Sequence, residues 1–219
     1  PSALARTLSI LAAILIVRVA VGVLFDYRHY IPPDFRSDFL RGREGYFWGG
    51  YHWAFYTHLI SGPASLILGI LLISDRFRNW VPVWHRRLGR MQVANVLLLV
   101  TPSGLFMAWY AQTGSIAAAG LGTLAIATGI CVALGWRAAL ARRFSVHRRW
   151  MLRTFVLLCS AVVIRMIGGL ATVLDFDAPW LYPASCWISW LLPLLVFESW
   201  CFLEARVLSL PQITPKSGT

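Results

Sequence analysis

The sequence predicts an all-α membrane protein, a polytopic bundle of six transmembrane helices with both termini on the cytoplasmic side. Hydrophobic residues make up 58% of the 219-residue chain and charged residues only 13%, about half the charged fraction of a typical soluble domain. Apolar stretches of about 20 residues, the length that crosses a bilayer, recur six times. Arginines collect in alternate connections between these stretches, as the positive-inside rule requires.

The six predicted spans follow one another closely and leave no room for a separate soluble domain. They cover residues 7–25, 52–74, 91–111, 117–138, 149–172 and 183–203. Helices are expected because lipid cannot satisfy open backbone donors and acceptors, and because the stretches lack the alternation of barrel strands. No A-x-A-like cleavage site follows the first stretch, which is therefore interpreted as a retained helix rather than a signal peptide.

The second and fourth connections carry most of the positive charge. Their arginines are Arg76, Arg78, Arg86, Arg87 and Arg90 in the second, and Arg137, Arg142, Arg143, Arg148, Arg149 and Arg153 in the fourth. The third and fifth connections contain no Lys or Arg. Both basic connections and both termini are therefore expected in the cytoplasm of a bacterium, with the spans in its inner membrane. The net charge of +11 is attributed to this topology, and nucleic acid is not an expected partner.

The first connection, residues 26–51, is the longest and departs from the simple charge pattern, since its arginines are offset by acidic residues. The arginines are Arg28, Arg36, Arg41 and Arg43, and the acidic residues are Asp26, Asp34, Asp38 and Glu44. The segment 35–46 mixes aromatic and charged residues, which predicts a short amphipathic element on the outer surface. Gly49 and Gly50 predict a sharp turn into the second span, because glycine adopts backbone conformations closed to other residues. A structured connection, a docking surface for a partner and a lid over an outer site all remain open.

Two similar segments, His85-Arg86-Arg87 and His147-Arg148-Arg149, each begin a span after a basic connection. Both histidines are expected at one level of the inner face. Paired imidazoles there could ligate haem b, with arginines such as Arg86 and Arg149 neutralising its propionates. The same face could instead bind a quinone or a lipid-like ligand. It could also hold lipid phosphate at the interface without any cofactor.

Ionisable groups within the spans are costly and mark candidate sites. Glu198 is expected near the inner level of Arg153, either as an ion pair or as a carboxylate beside the imidazoles. His58 and Arg165 are expected at a similar depth in the outer leaflet, since the helical rise is about 1.5 Å per residue. There Arg165 could bind an anionic or carbonyl-bearing ligand while His58 exchanges a proton. Arg18 has no evident partner at its depth.

The longer motifs resemble those of a known family. His58-Leu59-Ile60-Ser61-Gly62-Pro63, His85-Arg86-Arg87-Leu88-Gly89-Arg90 and His147-Arg148-Arg149-Trp150-Met151-Leu152-Arg153 precede Arg165 and Phe197-Glu198. From about Tyr51 to Glu198 this series resembles the bacterial predicted membrane proteins grouped as domain of unknown function 2306. The resemblance implies a polytopic helical membrane protein. A looser similarity connects the family with transmembrane b-type cytochromes, which hold two haems with histidines on four helices. This chain lacks part of that histidine set, and the similarity leaves room for one haem, between His85 and His147.

The sequence supports two hypotheses about function and favours neither over the other. One is a redox role, with quinone, lipid or haem bound at the inner face by the residues named above. The alternative is a non-catalytic accessory subunit of a larger membrane complex, with lipids and other subunits as its partners. A third hypothesis is a transporter with Arg18, Arg165 and His58 along an internal polar path. The sequence contains no nucleophile motif, P-loop or dinucleotide fingerprint, so it assigns no catalytic residue and no enzyme class.

Overall fold

The computed structural model describes residues 3–37 and 39–209, which form ten α-helices. They are α1 (Ala3–Asp26), α2 (Glu44–Tyr46), α3 (His52–Ile73), α4 (Asp75–Trp80), α5 (Pro82–Asn95), α6 (Thr101–Trp109), α7 (Ser115–Leu140), α8 (Phe144–Leu158), α9 (Ser160–Val173) and α10 (Leu181–Ser209). Two π-helical segments connect α2 to α3 and α5 to α6; they are Phe47–Tyr51 and Val96–Val100. The described part of the chain is therefore a helical bundle, and the all-α prediction is confirmed for it.

Five stretches among the described residues are long and apolar enough to cross a membrane. They are Glu44–Ile73, Pro82–Trp109, Ser115–Leu140, Phe144–Val173 and Leu181–Glu204. The first predicted span, 7–25, lies within helix α1, which is not among these five. The multi-pass membrane character is established by the five, whereas the total of six and the cytoplasmic side of the termini stay predictions.

Two helices begin earlier than the apolar pattern indicates. Helix α5 begins at Pro82 rather than near 91, because proline fits the first turn of a helix, where its missing N–H is not needed. Helix α8 begins at Phe144 rather than near 149. The arginine-rich turns are thus helical extensions of the spans. His85 and His147 consequently lie one turn inside their helices.

Helix α7 is central and packs against α6, α8 and α10. Small residues on α7 permit close approach, as is common between membrane helices. A Cβ atom on Gly135 would lie 2.7 Å from Met151 Sδ, and one on Gly129 would lie 3.1 Å from Thr101 Cγ2. Gly168 and Gly169 differ, because a Cβ atom on either would meet open space.

Side chains from neighbouring helices complete the backbone hydrogen bonding of α3. Pro63 has no N–H, so it leaves the carbonyl of Leu59 without its usual helical partner, and the Tyr27 hydroxyl donates to that carbonyl instead. On the opposite flank, Asn95 Nδ2 donates to the Ser61 carbonyl at 3.1 Å and to Ser65 Oγ at 2.7 Å. These bonds join α3 to the segment after α1 and to α5.

The first connection packs with the start of α3 around an aromatic core. Its segment 35–46, predicted as an amphipathic element on the outer surface, is mostly turn and enters this core through Phe35, Phe39 and Leu40. Leu40, Phe47, Tyr51 and Phe55 are each at most 2% exposed and form one cluster. The turn into the second span does fall where two glycines were expected to allow it, since Gly50 has φ of +116°. Apolar burial explains the difference, because inward-facing aromatic rings gain more than rings at the surface.

Replacing Gly69 with alanine tests the packing of α3 on α8. The new Cβ atom would lie 2.6 Å from Phe155 Cδ2, and overpacking of this kind costs about 1–3 kcal/mol. We expect a lower unfolding midpoint in detergent, measured by the reaction of the free cysteines with a thiol dye during heating. Gly168→Ala is the matched control and should leave the midpoint unchanged. Equal midpoints for both variants would contradict the described packing.

Candidate functional site

The second and fourth connections meet at one end of the bundle, named the inner end because the charge pattern predicts that it faces the cytoplasm. Asp75 accepts from Arg78 Nη2 at Oδ1 and from Arg148 Nη2 at Oδ2, each at 3.1 Å. Asp75 and Arg78 belong to α4, and Arg148 belongs to α8. Because all three side chains are about half exposed, the ion pairs add little stability. Their significance is positional, since they bring both histidine–arginine segments to the same end.

His147 is held by a bond to the neighbouring helix. Its Nδ1 lies 2.8 Å from the Gly135 carbonyl oxygen of α7. A carbonyl can only accept, so Nδ1 carries the hydrogen, and in the neutral ring Nε2 keeps its lone pair. The close α7–α8 contact at Gly135 is what allows this bond. His147 is therefore oriented, with Nε2 available as an acceptor.

His85 is partly buried beneath α4, with its ring 6.5 Å from that of Phe77. Its Nδ1 is buried and has no hydrogen-bond partner among the residues that the structure describes. The ring interacts electrostatically with His147, Arg78 and Arg86. The two imidazoles predicted to share a level thus lie close enough to influence each other, and one ring nitrogen of His85 lacks the bond that burial demands.

The arginines that follow the two histidines lie at the surface. Arg86 and Arg149 are exposed, and the Arg87 guanidinium lies 5.6 Å from the Trp84 ring centroid. A depression of about 530 Å³, lined by Arg76, Asn79 and Trp80, opens on α4 nearby. The inner end therefore presents positive charge and aromatic surface together, a combination suited to headgroups at a membrane interface.

A haem between the two histidines does not fit this arrangement. A ligating histidine normally donates its second ring N–H to a carbonyl or carboxylate, as His147 does to Gly135. His85 has no such orienting acceptor for Nδ1 among the described residues.

Glu198 and Arg153 form a bidentate ion pair between α10 and α8. Arg153 Nε donates to Oε1 at 2.5 Å, and Nη2 donates to Oε2 at 2.8 Å. The Trp150 ring covers the guanidinium, with its centroid 4.6 Å from Cζ. Of the two arrangements that the sequence left open, this is the ion pair rather than a carboxylate beside the imidazoles. Both groups are committed to holding α8 against α10.

His58 and Arg165 also come near each other, on the half of the bundle away from the inner end, named the outer half. His58 Nδ1 lies 3.1 Å from Ser103 Oγ, and that hydroxyl donates to the Leu99 carbonyl at 2.5 Å. Arg165 Nη1 donates to the Ala161 carbonyl at 2.9 Å, and its charge acts on His58. His58 has a local partner and needs no ligand to be satisfied, whereas the exposed Arg165 has further N–H donors beside the one bonded to Ala161.

The transporter hypothesis gains nothing from Arg18. Its side chain lies on an exposed face of α1, whereas His58 is bonded inside the α3–α6 contact. The three residues named for an internal path are therefore split between two environments.

Several polar residues at helix contacts were missed by the sequence reasoning. Gln92 Nε2 donates to the Ser65 carbonyl at 3.0 Å, and Asn95 bonds Ser61 and Ser65. Spacing could have revealed them, because Ser61 and Ser65 are four apart on one helix face and Gln92 and Asn95 are three apart on another. Polar side chains at such positions commonly join membrane helices.

Removing one member of the Arg153–Glu198 pair should destabilise the bundle. We expect Glu198→Gln to cost about 1–2 kcal/mol, because a guanidinium only 21% exposed exchanges two charged hydrogen bonds for at most one to a neutral amide oxygen but keeps some solvent. Arg153→Met should cost a similar amount, and the double variant should cost less than the sum. Unfolding midpoints in detergent measure the coupling, with exposed Glu204→Gln on the same helix as control. Strict additivity would show that the two groups do not interact.

The family comparison gives one finding. Residues 55–201 match the model of a family described as predicted membrane protein (DUF2306). Comparisons with curated proteins and with solved structures give no match. The match covers more than half of the chain and contains His58, both histidine–arginine segments, Arg165 and the Arg153–Glu198 pair. The chain belongs to the DUF2306 family of predicted membrane proteins.

Proposed function

We propose that the protein binds the headgroup of a membrane quinone at its inner end, between His85 and His147, and so serves a redox system of the bacterial inner membrane. One observation carries the proposal: the 2.8 Å bond between His147 Nδ1 and the Gly135 carbonyl. It fixes the tautomer in which Nε2 accepts, so a quinol hydroxyl could donate to it.

His85 supplies the complementary group. Its Nδ1 is buried without a partner in the described part of the chain. In the neutral tautomer that carries the hydrogen on Nδ1, this nitrogen would donate to a quinone carbonyl. A donor on one ring and an acceptor on the other suit a molecule with oxygen atoms at opposite ends. The site lies where a quinone headgroup would meet the interface while its tail stays among the apolar helices.

Anionic lipid is a second candidate ligand for the same face. Arg86 and Arg149 are exposed beside the two imidazoles, and exposed arginines at a cytoplasmic interface attract anionic headgroups by about 1 kcal/mol each. In that case the role is structural, consistent with an accessory subunit of a larger complex. The two candidates depend on different side chains, which makes them separable.

Replacing His147 with glutamine tests the quinone site. We expect the affinity for decylubiquinone, measured by quenching of tryptophan fluorescence in detergent, to fall about tenfold, which corresponds to one lost hydrogen bond of about 1.4 kcal/mol. His52→Gln is the matched control, because His52 Nδ1 also lies near a carbonyl, that of Phe47 at 3.2 Å, but at the other end of α3.

The lipid candidate predicts a different outcome. An Arg86→Gln and Arg149→Gln double variant should then lose affinity for phosphatidylglycerol while His147→Gln keeps it. Absence of quinone binding by the wild-type protein would refute the quinone proposal. Comigration with other membrane subunits, unaffected by His147→Gln, would favour the accessory function.

A further inference from the structure

Arg43 is a buried cation in the aromatic core of the first connection. Arg43 is only 9% exposed. The guanidinium carbon lies 4.5 Å from the Phe39 ring centroid and 5.7 Å from that of Tyr51. Among the residues that the structure describes, no hydrogen-bond acceptor reaches Nε or Nη1. The faces of this guanidinium are covered, while its Nε and Nη1 donors are unsatisfied within the described part of the chain.

Three tyrosine hydroxyls belong to the same neighbourhood. Tyr46 Oη is buried and also lacks a partner within the described ranges. Tyr51 interacts electrostatically with Arg43, Tyr46 and Tyr182, and Tyr182 interacts with Arg43 in turn. The Arg43 cation and the rings of Tyr46 and Tyr51 therefore lie together, whereas Tyr182, at the start of α10, feels the Arg43 charge but is bonded to Cys186.

Ring contacts hold these hydroxyls in position. The Tyr46 ring stacks on that of Tyr110 at 5.0 Å between centroids and meets the edge of Tyr51 at 5.4 Å. Tyr110 follows α6, so the cluster joins three separate parts of the outer end. The positions of the hydroxyls are thus set by packing and do not depend on a ligand.

The missing partner must be an acceptor, and a charged one fits best. Contacts between a cation and ring faces stabilise the guanidinium charge but leave its N–H groups unbonded. A buried donor without an acceptor costs about 1–3 kcal/mol, and more when it is charged. A phosphate or similar oxyanion brings negative charge and several acceptor oxygens, which planar guanidinium donors match well.

We propose that Arg43, with the hydroxyls of Tyr46 and Tyr51, forms an oxyanion-binding site for a phosphate group at the outer end of the bundle. The phosphate would come either from a lipid headgroup or from free anion in solution. The site lies before α3, whereas His85 lies after it, so this proposal is independent of the quinone proposal.

Thermal unfolding in a maltoside detergent, which carries neither phosphate nor charge, tests the site. We expect inorganic phosphate, compared with chloride at equal ionic strength, to raise the unfolding temperature of the wild-type chain if the anion is free. Added phosphatidylglycerol should raise it instead if the phosphate is a lipid headgroup. Either response supports the site, provided that Arg43→Met abolishes it. If neither phosphate nor phosphatidylglycerol changed the unfolding temperature, the proposal would be overturned.

Matched variants separate the site from general effects. Tyr46→Phe removes one hydroxyl that has no partner in the described structure, and should raise the half-saturating phosphate concentration about tenfold while the chain still folds. Arg36→Gln removes an exposed charge from the same connection, and Tyr56→Phe removes a hydroxyl already bonded to the Tyr30 carbonyl at 2.7 Å. Both controls should keep the wild-type response, and loss of the response in either would overturn the site.

Asp38 lies outside the described residues and provides the strongest counter-test. If its carboxylate bonds Arg43, Asp38→Asn should lower the unfolding temperature as much as Arg43→Met does. Phosphate should then leave the unfolding temperature of the wild-type chain unchanged. That pair of results would replace the oxyanion site with an internal ion pair. A wild-type response that survives Asp38→Asn would support the site.

Discussion

The requirement that every backbone polar group find a partner inside lipid governs this bundle. Pro63 interrupts the hydrogen bonding of α3, and the Tyr27 hydroxyl bonds the carbonyl that the proline leaves free. Asn95 reaches the same helix from the other flank. A break in one helix is thereby converted into contacts between helices. Because apolar side chains gain little from each other in lipid, such bonds and close glycine contacts specify which helices are neighbours.

Arginine side chains are accommodated differently at the two ends of the bundle. At the inner end, arginines are shared between carboxylates and aromatic faces, as in the Asp75 and Glu198 pairs. At the outer end, aromatic rings enclose Arg43, and the described residues offer its Nε and Nη1 no acceptor. A ligand at the inner end would join groups already at a charged surface. One at the outer end would complete a buried set.

Apolar length and arginine placement predicted the helical membrane class, since both reflect the transfer of side chains between water and lipid. The pairing of Arg153 with Glu198 was one of two options, because depth along a helix says nothing about rotation around it. The bond between His147 and Gly135 had no sequence signal, since backbone carbonyls are present at every residue. Arg43 was counted only as one charge of a mixed connection. Its burial depends on aromatic packing between distant segments, which periodicity does not encode.

The π-helical segment Val96–Val100 sets the rotation of everything beyond it. At 3.6 residues per turn, Asn95 and Ser103 would lie about 80° apart around a regular α-helix. A π turn takes up one additional residue, which brings the two side chains to within about 20° of each other. Both indeed contact α3, through Ser61 and His58. Deleting one residue from this segment would therefore give a regular α-helix in which Asn95 and Ser103 still face α3. Inserting one would rotate Ser103 away from His58.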